Sequence, residues 1–239
     1  MSEILDFEVT SHTPPQSVGW LETKLSQSVM IKLKSYIATA KINPTNVNNT
    51  LAGNISKSLL LKDKDHWFFI NVLVQLINKF SAAFPLYMGS AGGGFTILTE
   101  DAPYCVDPFW VNFQKENEFN PMHSHSGIWS FVIFVKIPTD WREQHALPFS
   151  ANSNGPKASD FEFYYSTMLG QMGKTTFPLD KESEGTMLFF PASMVHTVYP
   201  FYNCDKERIS ISGNIRFDIS ENSMKQFRSH QKNGNETRR

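Results

Sequence analysis

The chain lacks most of the features that assign a protein to a class at first sight. Its only two cysteines, Cys105 and Cys204, form no Cys-x-x-Cys motif and need not pair, which favours a reducing compartment. The formal net charge is −1 and the sequence pI is about 6.7. No charge excess therefore indicates binding to nucleic acid or to a membrane surface. A Gly-x-Ser-x-Gly or comparable nucleophile motif is also missing.

Segments that would direct the chain to a membrane are lacking as well. No apolar run reaches the roughly 18 residues of a membrane span, and the N-terminus has no basic start followed by an apolar stretch. We therefore expect a cytoplasmic protein of the producing or host cell. Its 239 residues, 41% of them hydrophobic, indicate one domain with enough apolar material for a core. The glycines of residues 89–94 lack the Gly-Lys-Ser/Thr ending of a phosphate loop, so we expect a flexible connection there.

Three histidines stand in an order that is typical of a metal site. His123 and His125 are two residues apart, and His196 follows much later in the chain. Side chains at i and i+2 of a strand point to the same face, so the first two can bind one ion together. A third ligand from an adjacent strand completes the facial triad of non-haem Fe(II) oxygenases. Arg208 and Ser210 follow, and a guanidinium with a hydroxyl suits the carboxylate of a co-substrate.

The histidine pair alone is weak evidence. With 7 histidines in 239 residues, roughly 0.2 His-x-His pairs are expected by chance. Surface histidines or hydrogen-bonded core histidines would explain the pair equally well. The flanking segments favour the metal site, because residues 109–113 and 128–135 have the composition of strands. Residues 185–196 form a strand pattern, a proline turn and then the third histidine, as expected for an all-β metal cup.

In these segments the sequence resembles the 2-oxoglutarate and Fe(II)-dependent oxygenases, whose core is a double-stranded β-helix, or jelly roll. The resemblance rests on residues 110–127, with His123-Ser-His125-Ser-Gly127, and on residues 185–215, with Leu188-Phe-Phe-Pro191 and Glu207-Arg-Ile-Ser-Ile-Ser-Gly-Asn-Ile215. It covers roughly the C-terminal half of the chain. Within the superfamily, the chain looks most similar to the branch found in phages and marine bacteria.

The resemblance implies roles for five residues. It implies that Fe(II) is bound by His123, His125 and His196, and that the distal carboxylate of 2-oxoglutarate is bound by Arg208 with Ser210. Beyond the metal ligands we assign no catalytic residue.

The chain departs from the family pattern at His125, where most of the superfamily has Asp or Glu. Either the site is a three-histidine triad, which we predict, or a carboxylate comes from elsewhere, with Asp140 and Glu118 as candidates. A neutral imidazole in place of a carboxylate leaves the site with one more unit of positive charge. That charge should favour an anionic chelator and weaken retention of the bare metal.

The resemblance further implies an enzyme, a dioxygenase acting as a hydroxylase. Such an enzyme couples decarboxylation of 2-oxoglutarate to succinate and CO2 with oxidation of a substrate C–H bond by O2. One alternative is a cupin-like three-histidine dioxygenase that is independent of 2-oxoglutarate. Another is a non-catalytic jelly-roll module. We expect a small-molecule or peptide substrate and no nucleic-acid or membrane partner, and the sequence leaves the oligomeric state open.

Apolar periodicity predicts two helices, over residues 17–41 and 64–83. Asp63 or Asp65 can cap the second helix and Pro85 ends it. This helix is apolar around most of its circumference, which predicts that it is buried against the outside of a sheet. Six strands are predicted from Phe95 onward, at residues 95–99, 109–115, 128–136, 161–166, 185–190 and 207–217.

The predicted organisation is mainly β. We expect an N-terminal helical elaboration over residues 1–86, a jelly-roll core over 87–220 and a disordered tail over 221–239. Segments 89–94 and 140–158 are expected to border the mouth of the site as a lid. Asn112 and Gln114 either face the cup or point outward, and Trp129 is expected in the core.

Overall fold

The computed structural model describes residues 19–85, 87, 102–221 and 223–225. Within these ranges, ten strands form two antiparallel sheets. The strands are β1 (Leu21–Lys24), β2 (Ser58–Leu61), β3 (Tyr104–Gln114), β4 (Asn120–His123), β5 (Trp129–Lys136), β6 (Phe161–Ser166), β7 (Met172–Phe177), β8 (Thr186–Pro191), β9 (Val195–Val198) and β10 (Arg208–Phe217). The α-helices are α1 (Gln27–Ile42), α2 (Val74–Ala83), α3 (Trp141–His145) and α4 (Pro148–Ala151).

The strand order is that of a jelly roll. The larger sheet has the order β1-β8-β5-β10-β3-β2 and the smaller sheet has the order β4-β9-β6-β7. From β3 to β10 the chain crosses between the two sheets at every connection except the β6–β7 hairpin, so sequence neighbours face each other across the fold. Such alternation defines a double-stranded β-helix. The predicted mainly β, jelly-roll fold class is confirmed.

The larger sheet is apolar on both faces. On one face, Phe131, Ile133 and Ile211 belong to a core cluster shared with the helices, whereas Val132 and Phe134 of β5 belong to the cluster between the sheets. Because side chains alternate along a strand, this sheet needs cover on both sides. The helices α1 and α2 provide it on the outer face, as predicted.

The first predicted helix begins later than the periodicity suggests. Residues 21–24 form β1, which pairs antiparallel with β8, and α1 begins only at Gln27. The Ser26 hydroxyl caps α1 by accepting a hydrogen bond from the Val29 amide. The prediction of helix over residues 19–26 was wrong because an edge strand can replace a helical turn where a sheet offers a free partner. Residues 17 and 18 lie outside the described residues.

The second predicted helix has the expected span but is not regular. A 3-10 turn covers Lys64–His66, a π-helical segment covers Phe69–Leu73, and α2 follows directly. Asp63 is the cap, because its carboxylate accepts hydrogen bonds from the amides of Phe68 and Phe69, each at 2.8 Å. Full burial of this segment was a wrong prediction, since Ile70 is 59% exposed.

Five of the predicted strands match observed ones within a few residues, namely β3, β5, β6, β8 and β10. The segment 140–158, predicted as a long polar connection, contains α3 and α4 instead. Residues 221 and 223–225 of the predicted tail are helical. The predicted strand 95–99, the glycines of 89–94 and the tail from residue 226 lie outside the described residues.

The N-terminal region takes part in the sheet as well as covering it. Both β1 and β2 are edge strands of the larger sheet, and β2 pairs with β3. Hydrogen bonding in the sheet therefore crosses the predicted boundary at residue 86. None of the helices in the described ranges is long and apolar enough to cross a membrane.

Candidate metal and co-substrate site

The three predicted histidines meet at one point between the sheets. His123 is the last residue of β4 and lies directly opposite His196 of β9 in the strand register. His125 follows β4 in an extended segment, and its amide donates to the Ala192 carbonyl at 2.8 Å. One nitrogen from each imidazole lies within 4.8 Å of the other two. The i, i+2 spacing thus brings both side chains to one side, although the strand itself ends at His123.

Backbone carbonyls fix the orientation of two of these rings. Nδ1 of His123 lies 2.7 Å from the Pro121 carbonyl, and Nδ1 of His196 lies 3.0 Å from the Met194 carbonyl. Because a carbonyl only accepts hydrogen bonds, each Nδ1 carries the proton and Nε2 keeps its lone pair. A carbonyl behind the ring is the usual way in which proteins orient histidine ligands.

Burial keeps the imidazoles neutral. Loss of solvation lowers the pKa of His123, and it lowers the pKa of His125 to about 4 and that of His196 to about 3, with the neighbouring imidazoles adding to the last two shifts. His196 is only 4% exposed. Neutral imidazoles with free lone pairs are the protonation state that a metal ion requires.

The distances fit a shared ion. Nε2 of His125 and Nε2 of His196 lie 3.2 Å apart. Two imidazole nitrogens bound at about 2.1 Å to one ion, at roughly 90–100° to each other, are separated by about 3 Å. The donor set, three imidazoles converging from one side, suits Fe(II) among other ions.

Neither alternative carboxylate is near this cluster. Glu118 accepts hydrogen bonds from the amides of Lys115 and Ser56, at 2.8 Å and 3.0 Å, and so closes the β3–β4 turn. Asp140 caps α3 and pairs with Arg142 at 3.2 Å. Among the described residues, the only metal-ligating group of this kind consists of the three histidines.

A cavity of about 590 Å³ opens above the histidines, and Arg208 lies in its wall. The Arg208 side chain is buried, and burial lowers its pKa to about 9, although the nearby Asp160 opposes the shift. Its Nη atoms donate to the carbonyls of Ser159 and Tyr199, at 3.0 Å and 3.4 Å, and the guanidinium lies over the Phe201 ring. Arg208 Nε has no hydrogen-bond partner, and no ion pair to Arg208 is present in the described ranges.

An unpartnered cation in a cavity is a place for an anion. A buried N–H without an acceptor is costly, and a buried charge without a counter-charge is more so. The far carboxylate of 2-oxoglutarate would supply both the acceptor and the charge. The residues present therefore fit the co-substrate as well as the metal.

The alternation along β10 explains why polar side chains point into this cavity. Ser210, Ser212 and Asn214 line it, whereas Ile211 and Ile215 pack in the core shared with the helices. Ser210 thus lies in the wall that also holds Arg208.

The two polar residues of β3 also face the cavity. Asn112 accepts a hydrogen bond from the Ser58 hydroxyl at 2.7 Å, and Gln114 donates to the Glu118 carbonyl at 2.6 Å. The reading in which both point outward is therefore wrong. Trp129 is fully buried among aromatic side chains of the core, as expected.

The sequence did not predict one wall of the cavity. The segment 47–55, between α1 and β2, contributes Val47, Thr50, Leu51, Ala52, Gly53 and Ile55. It is held to the β3–β4 turn by an isolated β-bridge between Asn54 and Phe119, in which the Asn54 amide donates to the Phe119 carbonyl at 2.8 Å. Its sequence carries no motif, and only the pairing of β2 with β3 brings it over the histidines.

The expected lid segment 140–158 lies elsewhere. It contributes none of the residues that line the cavity in the described part of the chain. The other expected lid, residues 89–94, lies outside that part.

Comparison with known protein families gives a match in the central part of the chain. Residues 108–214 match the model of a protein family described as "Putative 2OG-Fe(II) oxygenase". The matched range begins within β3 and ends within β10, and it contains all five predicted site residues. Residues 108–214 are a 2OG-Fe(II) oxygenase domain. This domain supports the Fe(II)- and 2-oxoglutarate-dependent activity that the resemblance implied; the phage and marine-bacterial branch stays a prediction.

Several solved structures are distantly similar to this chain. A prolyl-4-hydroxylase from Pseudomonas putida is 12% identical with a TM-score of 0.48, covering 84% of this chain and 94% of its own. A prolyl hydroxylase from Trichoplax adhaerens, solved with a hypoxia inducible factor peptide fragment, is 11% identical with a TM-score of 0.45, covering 89% and 87%. The epimerase SnoN, in complex with Fe3+, alpha ketoglutarate and nogalamycin RO, is 15% identical with a TM-score of 0.45, covering 84% and 79%. Such distant likenesses say nothing of this protein's substrate. No curated protein matches the chain.

Proposed function

We propose that this protein is an Fe(II)- and 2-oxoglutarate-dependent dioxygenase, a hydroxylase that oxidises a C–H bond of a small molecule or peptide in the cytoplasm, releasing succinate and CO2. In this proposal Fe(II) is held by His123, His125 and His196, and 2-oxoglutarate is held by Arg208 with Ser210. The observation that carries it is a cavity in which three neutral imidazoles and one buried, unpaired guanidinium face the same space.

In this proposal the three histidines bind Fe(II) and fix its position. Each offers one nitrogen within 4.8 Å of the other two, and the carbonyls of Pro121 and Met194 prevent two of the rings from turning. Bound there, Fe(II) would supply a centre at which 2-oxoglutarate and O2 react and a substrate C–H bond is oxidised.

Arg208 positions the co-substrate by its far end. The Nη atoms of the planar guanidinium donate to carbonyls, so Nε–H is left to donate to the far carboxylate, and the Ser210 hydroxyl can add a second hydrogen bond. In the buried wall this attraction is little screened by solvent. The apolar part of the 47–55 segment lines the same cavity.

The reaction is tested by following succinate. We expect the wild-type protein to form succinate when Fe(II), 2-oxoglutarate and O2 are supplied, and alanine in place of any of the three histidines to abolish it. His66→Ala is the matched control, because His66 is exposed and belongs to no metal cluster. Retained succinate formation in His125→Ala would remove His125 from the triad.

The co-substrate clamp is tested by Arg208→Lys. A lysine ammonium cannot reproduce the fixed, planar Nε–H donor, so the concentration of 2-oxoglutarate at half-maximal rate should rise about tenfold or more. Thermal unfolding must accompany the assay, since Lys leaves the buried carbonyls of Ser159 and Tyr199 less well satisfied. An unchanged dependence on 2-oxoglutarate in a folded variant would assign Arg208 a structural role. Substrate oxidation without 2-oxoglutarate would favour the cupin-like alternative.

A further inference from the structure

The Arg208 guanidinium is held from behind by a residue that belongs to no motif. Its Nη2 donates to both the carbonyl and the hydroxyl of Ser159, and the carbonyl contact is 3.0 Å long. Ser159 is fully buried in the turn that precedes β6. Its hydroxyl also lies 3.1 Å from the hydroxyl of Thr139, so the carbonyl and the hydroxyl of Ser159 are both engaged.

The backbone at Ser159 is in an uncommon conformation. Its φ is 76°, in the left-handed region that favours glycine. Such a conformation persists only where the surroundings impose it, and it is common beside ligand clamps. Here the turn is tied down by hydrogen bonds from the Ser159 amide to the Pro200 carbonyl at 2.8 Å and from the Tyr199 amide to the Asp160 carbonyl at 2.9 Å.

Ser159 holds Arg208 without neutralising it. A carbonyl and a hydroxyl are neutral acceptors, so they fix the guanidinium while its positive charge stays available. The nearest acidic influence is Asp160, but one of its carboxylate oxygens contacts His145 at 3.0 Å, and it forms no ion pair with Arg208. A carboxylate at position 159 would instead compete with an incoming anion.

We propose that Ser159 is a positioning residue for the co-substrate, which fixes the Arg208 guanidinium so that Nε–H is left for the far carboxylate of 2-oxoglutarate. The proposal rests on the proposed function of Arg208. It extends that function to a residue outside the strands that carry the metal ligands and the arginine.

The test compares two 2-oxo acids in an anaerobic binding titration of the Fe(II)-loaded protein. 2-Oxoglutarate has the far carboxylate, whereas 2-oxobutanoate has the same 2-oxo acid end and lacks it. Ser159→Gly removes the hydroxyl and suits the left-handed backbone, so the fold should be retained. We expect this variant to bind 2-oxoglutarate about five- to tenfold more weakly and 2-oxobutanoate unchanged, because one hydrogen bond to a charged group is lost.

Each outcome separates the two proposals. If Arg208→Lys binds both acids as the wild type does, Arg208 is not the clamp and the proposed function is wrong at this residue. If Arg208→Lys loses only 2-oxoglutarate affinity while Ser159→Gly loses none, Arg208 is the clamp and Ser159 does not position it. Equal weakening of both acids in Ser159→Gly would indicate general damage and would also overturn the proposal. Ser150→Ala, which removes another buried hydroxyl from a residue that does not line the cavity, should leave both affinities unchanged.

Discussion

At the scale of single residues, His125 decides the electrostatic character of the site. The cluster of described metal-ligating residues contains three imidazoles and no carboxylate. Compared with a two-histidine, one-carboxylate site, a metal held by the proposed three histidines would keep one more unit of positive charge. Since 2-oxoglutarate is a dianion, the extra charge would strengthen the attraction between metal and co-substrate. The same change removes an anionic ligand and so weakens binding of the bare ion.

His125→Asp tests whether stronger binding of 2-oxoglutarate comes with weaker binding of the bare metal ion. We expect the variant to bind Fe(II) alone about tenfold more tightly, because a hard anionic ligand is restored. We expect the loaded site to bind 2-oxoglutarate more weakly than the wild type does. Anaerobic titrations of Fe(II), and then of 2-oxoglutarate, measure the two effects separately. His125→Ala serves as the comparison, because it removes the imidazole without adding charge; tighter 2-oxoglutarate binding in His125→Asp would contradict the charge argument.

At this scale, what could be predicted from the sequence depends on how far apart in the chain the contacting residues are. The histidines were predictable because a two-residue spacing and a strand pattern place them locally, and Arg208 followed from its family resemblance. Ser159 was not, because its contact with Arg208 spans 49 positions and depends on how one turn packs against β10. The carbonyls of Pro121 and Met194 are backbone groups, which leave no mark in a sequence.

At the scale of elements, the errors come from short strands that depend on a partner. Leu21 and Leu25 fit a helical repeat equally well, and only the free edge of β8 makes residues 21–24 a strand. β7 has the sequence Met-Gly-Lys-Thr-Thr-Phe, whose pattern is weak without the β6 strand beside it. By contrast, the apolar runs of β5 and β8 predicted buried strands directly, because both of their faces are covered.

The outer face of the smaller sheet carries a charged network that ties several elements together. Glu162 of β6 is fully buried and accepts from Lys157, Thr176 and Tyr199, at 2.7, 2.7 and 3.1 Å. Lys157 belongs to the turn that carries Ser159, and the Tyr199 carbonyl accepts from Arg208. The network therefore connects the smaller sheet to the support of the arginine.

Glu162→Gln should remove a pH-dependent part of the stability. Burial alone would raise the pKa of Glu162, but Lys157 and the hydroxyls outweigh it and lower the pKa from 4.5 to about 2. A carboxylate with a lowered folded-state pKa stabilises the fold above pH 4.5, and this contribution is lost as the pH falls toward 2. The shift corresponds to about 3 kcal/mol of unfolding free energy at neutral pH.

Denaturant unfolding of the metal-free protein between pH 6 and pH 2.5 measures this effect. The wild type should lose stability more steeply below pH 4.5 than Glu162→Gln, and the two curves should converge at the acid end. Glu221→Gln is a suitable control, because that carboxylate is exposed and its ion pair with Lys225 is at the surface. Parallel curves for wild type and Glu162→Gln would show that the network contributes no charge-dependent stability.

At the scale of the whole molecule, the site is assembled from all parts of the described chain. The smaller sheet supplies two histidines, the larger sheet supplies Arg208 and Ser210, and the segment before β2 closes the cavity. A ligand that bridges the histidines and Arg208 therefore joins the two sheets to each other. Because these contacts exist only in the folded state, ligand binding should stabilise the entire domain.

Thermal unfolding with ligands tests this coupling. At a free concentration about 100 times the dissociation constant, a ligand adds about 2.7 kcal/mol to the stability. For a chain of this size that corresponds to a rise of roughly 5–10 °C in the unfolding midpoint. We expect Fe(II) under anaerobic conditions to raise the midpoint, and 2-oxoglutarate to raise it further only when the metal is present.

The variants divide the effect between the two sheets. In His196→Ala neither ligand should raise the unfolding midpoint, because the metal needs His196 and 2-oxoglutarate needs the metal. In Arg208→Lys the metal should still stabilise the fold, while the additional rise with 2-oxoglutarate should shrink to that given by 2-oxobutanoate. If 2-oxoglutarate instead stabilises Arg208→Lys as strongly as the wild type, the co-substrate does not reach the larger sheet through Arg208. Its binding would then be confined to the metal, and the two sheets would not be coupled through this ligand.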